Sequence, residues 1–206
     1  MSSWLLTSGL FITGLGGAFL PWIWRESVAL QLTGPGLAEF VKFVPEVRTG
    51  QIQVERLHFL LPLFSAMLML PLLAANKRLD LPVWLRQSLK LAVIPLALAS
   101  LSPVWSPAIL MNMEFRLQTI AALIAIVLAL IAPIFGNLPL KALVAVSTVA
   151  NIMAIGLAGR QFNLVQSAIT AVYHEPIALG WGWWVTVAGT ILTIIGGFWA
   201  ARVADL

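Results

Sequence analysis

Long apolar runs separated by short polar ones make up nearly the whole chain. Residues 4–24, 57–75, 89–111, 117–136, 139–159 and 181–202 are predominantly apolar. A helix rising ~1.5 Å per residue needs about 20 such residues to cross a hydrocarbon core roughly 30 Å thick. The pattern predicts an all-α fold, a polytopic transmembrane helical bundle of about six spanning helices, with 1–206 forming a single integral membrane domain. Pro95, Pro103 and Pro107 fall in the third run, which is expected to kink or break. Gly136-Asn137-Leu138-Pro139 leaves room only for a tight turn between the fourth and fifth runs. The first run has no preceding Lys or Arg and no small-x-small site after it. It ends at Leu20-Pro21-Trp22-Ile23-Trp24-Arg25, which reads as the interfacial anchor of a retained helix, not a signal peptide.

The polar intervals carry structure of their own. In the first external loop, about 25–56, Gly34-Pro35 opens a helix with proline where a missing N–H is harmless. Leu37, Phe40, Val41 and Val44 share one face and Glu39, Lys42 and Glu46 the other, with Lys42 and Glu46 spaced to pair; Pro45 and Thr49-Gly50 end the element. This helix is expected to lie on the outer bilayer surface or to cap the bundle. In the last external loop Phe162, Val165, Ile169, Val172 and Tyr173 form an apolar stripe opposite Asn163, Gln166, Ser167 and Thr170. That stretch is either an amphipathic interfacial helix over 160–175 or a continuation of the fifth span. On the other side, residues 80–90 read as a short interfacial helix capped by Asp80, with Pro82 in its first turn and Trp84 at headgroup depth.

Composition removes the soluble alternative: 60% of residues are apolar and 10% charged, far too few charges to cover a water-facing surface. The net charge of +4 comes from scattered residues, which speaks against nucleic-acid binding. Six spans would place the termini with Lys77, Arg78, Arg86, Lys90, Lys141 and Arg202 against Asp80 and Asp205. The opposite side would then hold Arg25, Lys42, Arg48, Arg56, Arg116 and Arg160, balanced by six glutamates. The basic residues tie in number. The dense group at 77–90, in a short loop close to two spans, puts both termini in the cytoplasm of a multi-pass protein of the plasma (inner) membrane.

Chemistry-bearing residues are sparse. No ionisable group lies at the centre of any run, which argues against proton-coupled transport by this chain alone. There is no cysteine, no G-x-S-x-G turn and no H-E-x-x-H helix, so no catalytic residue and no metal site is predicted. Gly14-Leu15-Gly16-Gly17 lies inside an apolar run and lacks the Lys-Ser/Thr of a nucleotide loop. His58, Tyr173, His174, Glu175 and Asn163 fall near the outer ends of spans, as a polar cluster or ligand contact at the outer face. Asn151 is a lone polar group at mid-membrane, expected to bond to a neighbouring helix. Tryptophans 22, 24, 84, 105, 181, 183, 184 and 199 are expected in the interfacial belts.

Small residues repeat every four positions: Gly9, Thr13 and Gly17 in the first run, Gly189, Thr193 and Gly197 in the last. Such strips let helices approach closely in lipid, so either the first and last helices pack on each other or one strip docks a partner. Size, six spans, external loops and the strip at Gly9, Thr13 and Gly17 together resemble the substrate-binding subunits of energy-coupling-factor vitamin transporters. The resemblance implies a ligand beneath the external loops and a first helix that docks its partner. The leading expectation is a non-catalytic integral membrane subunit packing with other membrane proteins in a transport, respiratory or photosynthetic complex. The rival is a solute-binding permease component, with a pocket lined by Trp105, Asn112, Gln161, Asn163, Tyr173 and His174. A third class is an intramembrane enzyme working through His58, His174 and Glu175. No cofactor is predicted, although lipid or pigment could fill grooves between the helices.

Overall fold

A computed structural model of the chain describes residues 2–26 and 30–203; Asp205 lies outside the described residues. The fold is helical apart from one small hairpin. In chain order the helices are α1 Ser2–Ala18, α2 Gly34–Phe40, α3 Pro45–Arg48, α4 Leu61–Ala75, α5 Val83–Ala99, α6 Pro107–Leu110, α7 Arg116–Ile131, α8 Leu140–Tyr173 and α9 Trp181–Val203. Tight 3-10 turns extend α2 (Val41–Phe43), lead into α4 (Arg56–Leu60) and follow α7 (Ala132–Phe135). Four helical segments are long and apolar enough to cross a bilayer: Arg56–Ala75, Arg116–Phe135, Leu140–Tyr173 and Trp181–Val203. The other two expected spans are represented by α1 and α5, each 17 residues long.

Boundaries depart from the sequence reading where distant contacts intervene. The first helix ends at Ala18, not near 24, and Pro21 leads into β1, Ile23–Arg25, which pairs antiparallel with β2, Leu30–Leu32. Trp22 is therefore no belt residue. It is fully buried, its indole Nε1 donates to the Gly16 carbonyl at 3.0 Å, and its ring meets Trp183 edge-on at 4.9 Å. The third run starts earlier than expected, because residues 83–90 continue into α5 instead of forming a separate interfacial helix; Pro82 takes the N-cap position assigned to Asp80. Pro95 sits within α5, while Pro103 and Pro107 lie beyond its end. The fifth run continues unbroken to Tyr173, so residues 160–173 are no separate helix. At ~1.5 Å per residue, α8 reaches about 51 Å and overshoots a bilayer core of roughly 30 Å. Its last turns pack in the cap that α2 forms over one end of the bundle.

Helix α4 sits centrally, packed against α1, α5, α7 and α8, with α9 against α1 and α8. One apolar core, including Leu6, Leu10, Leu63, Met67, Leu70, Val93 and Leu96, fills the bundle. A second, including Trp22, Leu37, Val41, Phe59, Phe162, Val165 and Ile169, lies under the cap.

The most extensive helix pair is α1 with α9, running antiparallel. A Cβ on Gly9 would lie 2.5 Å from the Thr193 nitrogen, and one on Gly189 would lie 2.5 Å from the Thr13 nitrogen, distances no side-chain carbon tolerates. Thr13 and Thr193 donate their hydroxyls to Gly9 and Gly189 carbonyls in their own helices, at 3.0 and 2.8 Å. Across the seam the Thr13 hydroxyl oxygen lies 3.5 Å from that of Thr190. Gly17 and Gly197 are rotated off it: Gly17 faces Leu63 of α4 and Gly197 faces Val144 of α8. Gly16, Thr186 and Gly196 complete the contact instead, as a helix of 3.6 residues per turn requires over several turns.

Candidate functional site

The cap is built from residues 30–56, between α1 and α4. Thr33 begins α2 by accepting the Gly36 amide on its hydroxyl at 3.2 Å, and Pro35 occupies the first turn. Leu37, Val41 and Val44 are buried beneath. The helix breaks at Val44, whose backbone is extended, so Lys42 and Glu46 do not share a helix and the expected pair between them is absent.

Lys42 joins a different constellation. Its ammonium lies 2.6 Å from Glu39 and 2.7 Å from Glu114. The Arg56 guanidinium meets the other Glu39 oxygen at 2.7 Å, reaches the Glu114 carboxylate at 3.8 Å, and also donates to the Glu114 backbone carbonyl. Both cations lie over the Phe115 ring, 5.0 and 4.8 Å from its centre. Two cations and two carboxylates cancel, and the cluster ties α2 to the entrances of α4 and α7. Desolvation works to lower the Lys42 pKa, but the bonds to Glu114 and Glu39 outweigh it, and the net shift is upward from 10.5.

Beneath this clamp lies a cavity of about 260 Å³. Pro35, Gly36, Ala38 and Glu39 roof it, Leu60 and the residues ending α5 (Ala99, Ser100, Leu101, Pro103) wall it, and Gln118 of α7 closes it. The walls are mostly apolar. Gln118 is 2% exposed, and its Oε1 has no hydrogen-bond partner. The Ser100 hydroxyl donates its proton to the Ala97 carbonyl at 2.7 Å, so it too offers lone pairs. The cavity is mostly apolar, and its polar lining includes the Gln118 amide and the Ser100 hydroxyl.

The residues singled out from sequence are not assembled around this cavity. His58 Nδ1 lies 3.0 Å from Gln161 Nε2, and Gln161 Oε1 accepts the Glu55 amide at 3.3 Å, fastening the start of α4 to α8. Tyr173 packs its ring 6.0 Å from Phe40 of the cap. Asn163 and His174 are exposed, Glu175 is half-buried, and His174 ends α8 in the left-handed conformation, φ 54°. Of the residues expected to line a pocket, Trp105, Asn112, Gln161, Asn163, Tyr173 and His174, none lines this cavity; Trp105 and Asn163 are exposed, and Gln161 bonds to His58. Asn151 is fully buried but bonds within α8, to the Ser147 carbonyl at 2.8 Å, and not across to another helix. Among the described residues no group of three or more His, Cys, Asp or Glu could hold a metal.

Of the residues that hold or line the cavity, Glu39, Arg56 and Glu114 counted in the sequence only as loop charges, and Gln118 was not singled out. The one signal for Gln118 was an amide entering an otherwise apolar helix. No protein-family model, curated protein or solved structure matches this chain.

Proposed function

We propose that this chain is a six-span, non-catalytic membrane protein that binds a small molecule beneath its outer cap, in the manner of a solute-binding permease component. The observation that carries the reading is a mostly apolar cavity of about 260 Å³, lined in part by the buried Gln118 side chain, under a cap held by ion pairs. Spans four to six in this count are α7, α8 and α9, and α4 is the second. Helices α1 and α5, at 17 residues each, supply the remaining two, reaching about 25 Å before flanking residues are added. The expectation of a partner-docking subunit drew on the small-residue strips; Gly9 and Gly189 meet across α1 and α9, while Gly17 faces α4 and Gly197 faces α8.

The test uses two probes of similar shape, 2-phenylethanol, which carries a donor, and propylbenzene, which does not. Thermal unfolding of the purified protein in detergent is followed across a titration of each. The alcohol is expected to bind about tenfold more tightly than the hydrocarbon, the ratio for one buried hydrogen bond. Gln118→Met keeps the volume, removes the acceptor, and should erase that preference while leaving the unliganded protein at least as stable. A preference that survives Gln118→Met, or no stabilisation of the unsubstituted protein by either probe, would rule the reading out.

A further inference from the structure

The seam between α5 and α7 opens a second time at its far end, away from the cap. There a groove of about 200 Å³ is lined by Gln87, Lys90, Leu91 and Ile94 of α5 and by Ile126 and Leu130 of α7. The two helices run in opposite directions: Ser100 and Gln118 meet at the cap cavity, Lys90 and Leu130 at this groove. Polarity along the groove therefore has an order. Gln87 and Lys90 lie towards the end of the bundle, and Leu91, Ile94 and Ile126 follow on the way to its centre.

The same end of the bundle is basic. Lys77, Arg78, Arg86 and Lys90 stand there against Asp80. Arg86 is committed to the Leu81 and Leu79 carbonyls at 3.0 and 2.8 Å. Lys90 has no hydrogen bond or ion pair among the described residues, is half-buried, and lies beside the apolar slot. An amphiphile whose anionic head meets Lys90 and Gln87 and whose tail runs along Leu91, Ile94 and Ile126 matches the groove in charge and in polarity order.

We infer that the groove between α5 and α7 is a binding site for an anionic phospholipid, with Lys90 on the phosphate and an acyl chain between the helices. The site is separate from the cap cavity and does not depend on what that cavity holds. The lipid is the occupant chosen over a water-soluble phosphate because the apolar part of the groove is continuous with the lipid-facing surface, where Leu91 and Leu130 are 64% and 75% exposed.

The experiment is native mass spectrometry of the full chain in detergent, with phosphatidylglycerol or phosphatidylcholine of identical acyl chains added. The expected result is about fivefold greater retention of phosphatidylglycerol, the share of one lysine near an anionic headgroup. Lys90→Gln should remove the preference, whereas Arg160→Gln, which deletes an exposed charge at the other end, should keep it. Ala129 of α7 also lines the groove, and Ala129→Phe, which fills it without changing charge, should lower retention of phosphatidylglycerol to the level of phosphatidylcholine. Equal retention of both lipids by the unsubstituted protein would overturn the inference, as would a preference that survives both Lys90→Gln and Ala129→Phe. Displacement of phosphatidylglycerol by equimolar glycerol 3-phosphate would also overturn it, by assigning the site to a soluble phosphate.

Discussion

Between α1 and α9 the contact is backbone against backbone. Glycines 9, 16, 189 and 196 bring the two helices together, threonine hydroxyls turn back onto their own carbonyls, and no charged side chain takes part. Over the cap cavity the contact is side chain against side chain, through Glu39, Lys42, Arg56 and Glu114 above a ring at Phe115. The difference follows the surroundings. In hydrocarbon there is no hydrophobic drive between helices, so close dispersion contact and internally satisfied backbone groups hold them. At the interface water is at hand to solvate ions, and an ion cluster can form and also open. The seam rests on close backbone approach, whereas the cap is held by ion pairs that a change of pH can weaken.

The largest expected effect is on the seam. Gly189→Leu should cost on the order of 3 kcal/mol or more, because the new side chain enters the space of the Thr13 and Gly9 backbones, and most protein should be lost as aggregate in size-exclusion chromatography. Gly156, also inside a helix, has nothing within 4 Å of its would-be Cβ. Gly156→Ala should therefore stabilise by about 0.5–1 kcal/mol. If both glycine changes move the melting temperature in the same direction, the seam is not the joint described.

A smaller loss is expected at the cap. Arg56→Gln leaves Glu39 and Glu114 with one cation between them and should cost about 1–3 kcal/mol. The loss should be local: faster hydrogen exchange over residues 34–48, with exchange along α1 and α9 unchanged. Equal acceleration in both regions would mean that cap and seam unfold as one unit.

The smallest effect is alkaline release of the cap. The folded Lys42 pKa lies above 10.5, so the ammonium's contribution is complete below pH 10.5 and fades as pH rises through the higher folded value. Proteolysis within residues 34–48 should accelerate there, and Lys42→Arg should delay this to higher pH. Acceleration already complete below pH 10.5 would assign the release to another group.

Much of the outline was legible in the chain. The runs at 57–75, 117–136 and 181–202 correspond to helical segments within a few residues, and the start of α2 at Gly34-Pro35 needed only the local chemistry of a helix beginning. The site was not legible. Gln118 is unremarkable until residues 35–39 and 99–103 are folded over it, and its missing partner is a property of that enclosure. The histidines and tryptophans drew attention by type. Type alone does not separate a belt tryptophan from Trp22, whose N–H reaches back to Gly16.

Apolar length, proline and glycine positions and scarcity of charge, all local properties, were enough to predict a helical chain with several segments apolar enough to cross a membrane and a helix opening at Gly34-Pro35. Tertiary structure decided which small residues face which neighbour, that α8 runs on to Tyr173, which ions pair, and where a cavity remains. Those outcomes depend on contacts between residues far apart in the chain, and periodicity within a single segment carries no information about the partner it will meet.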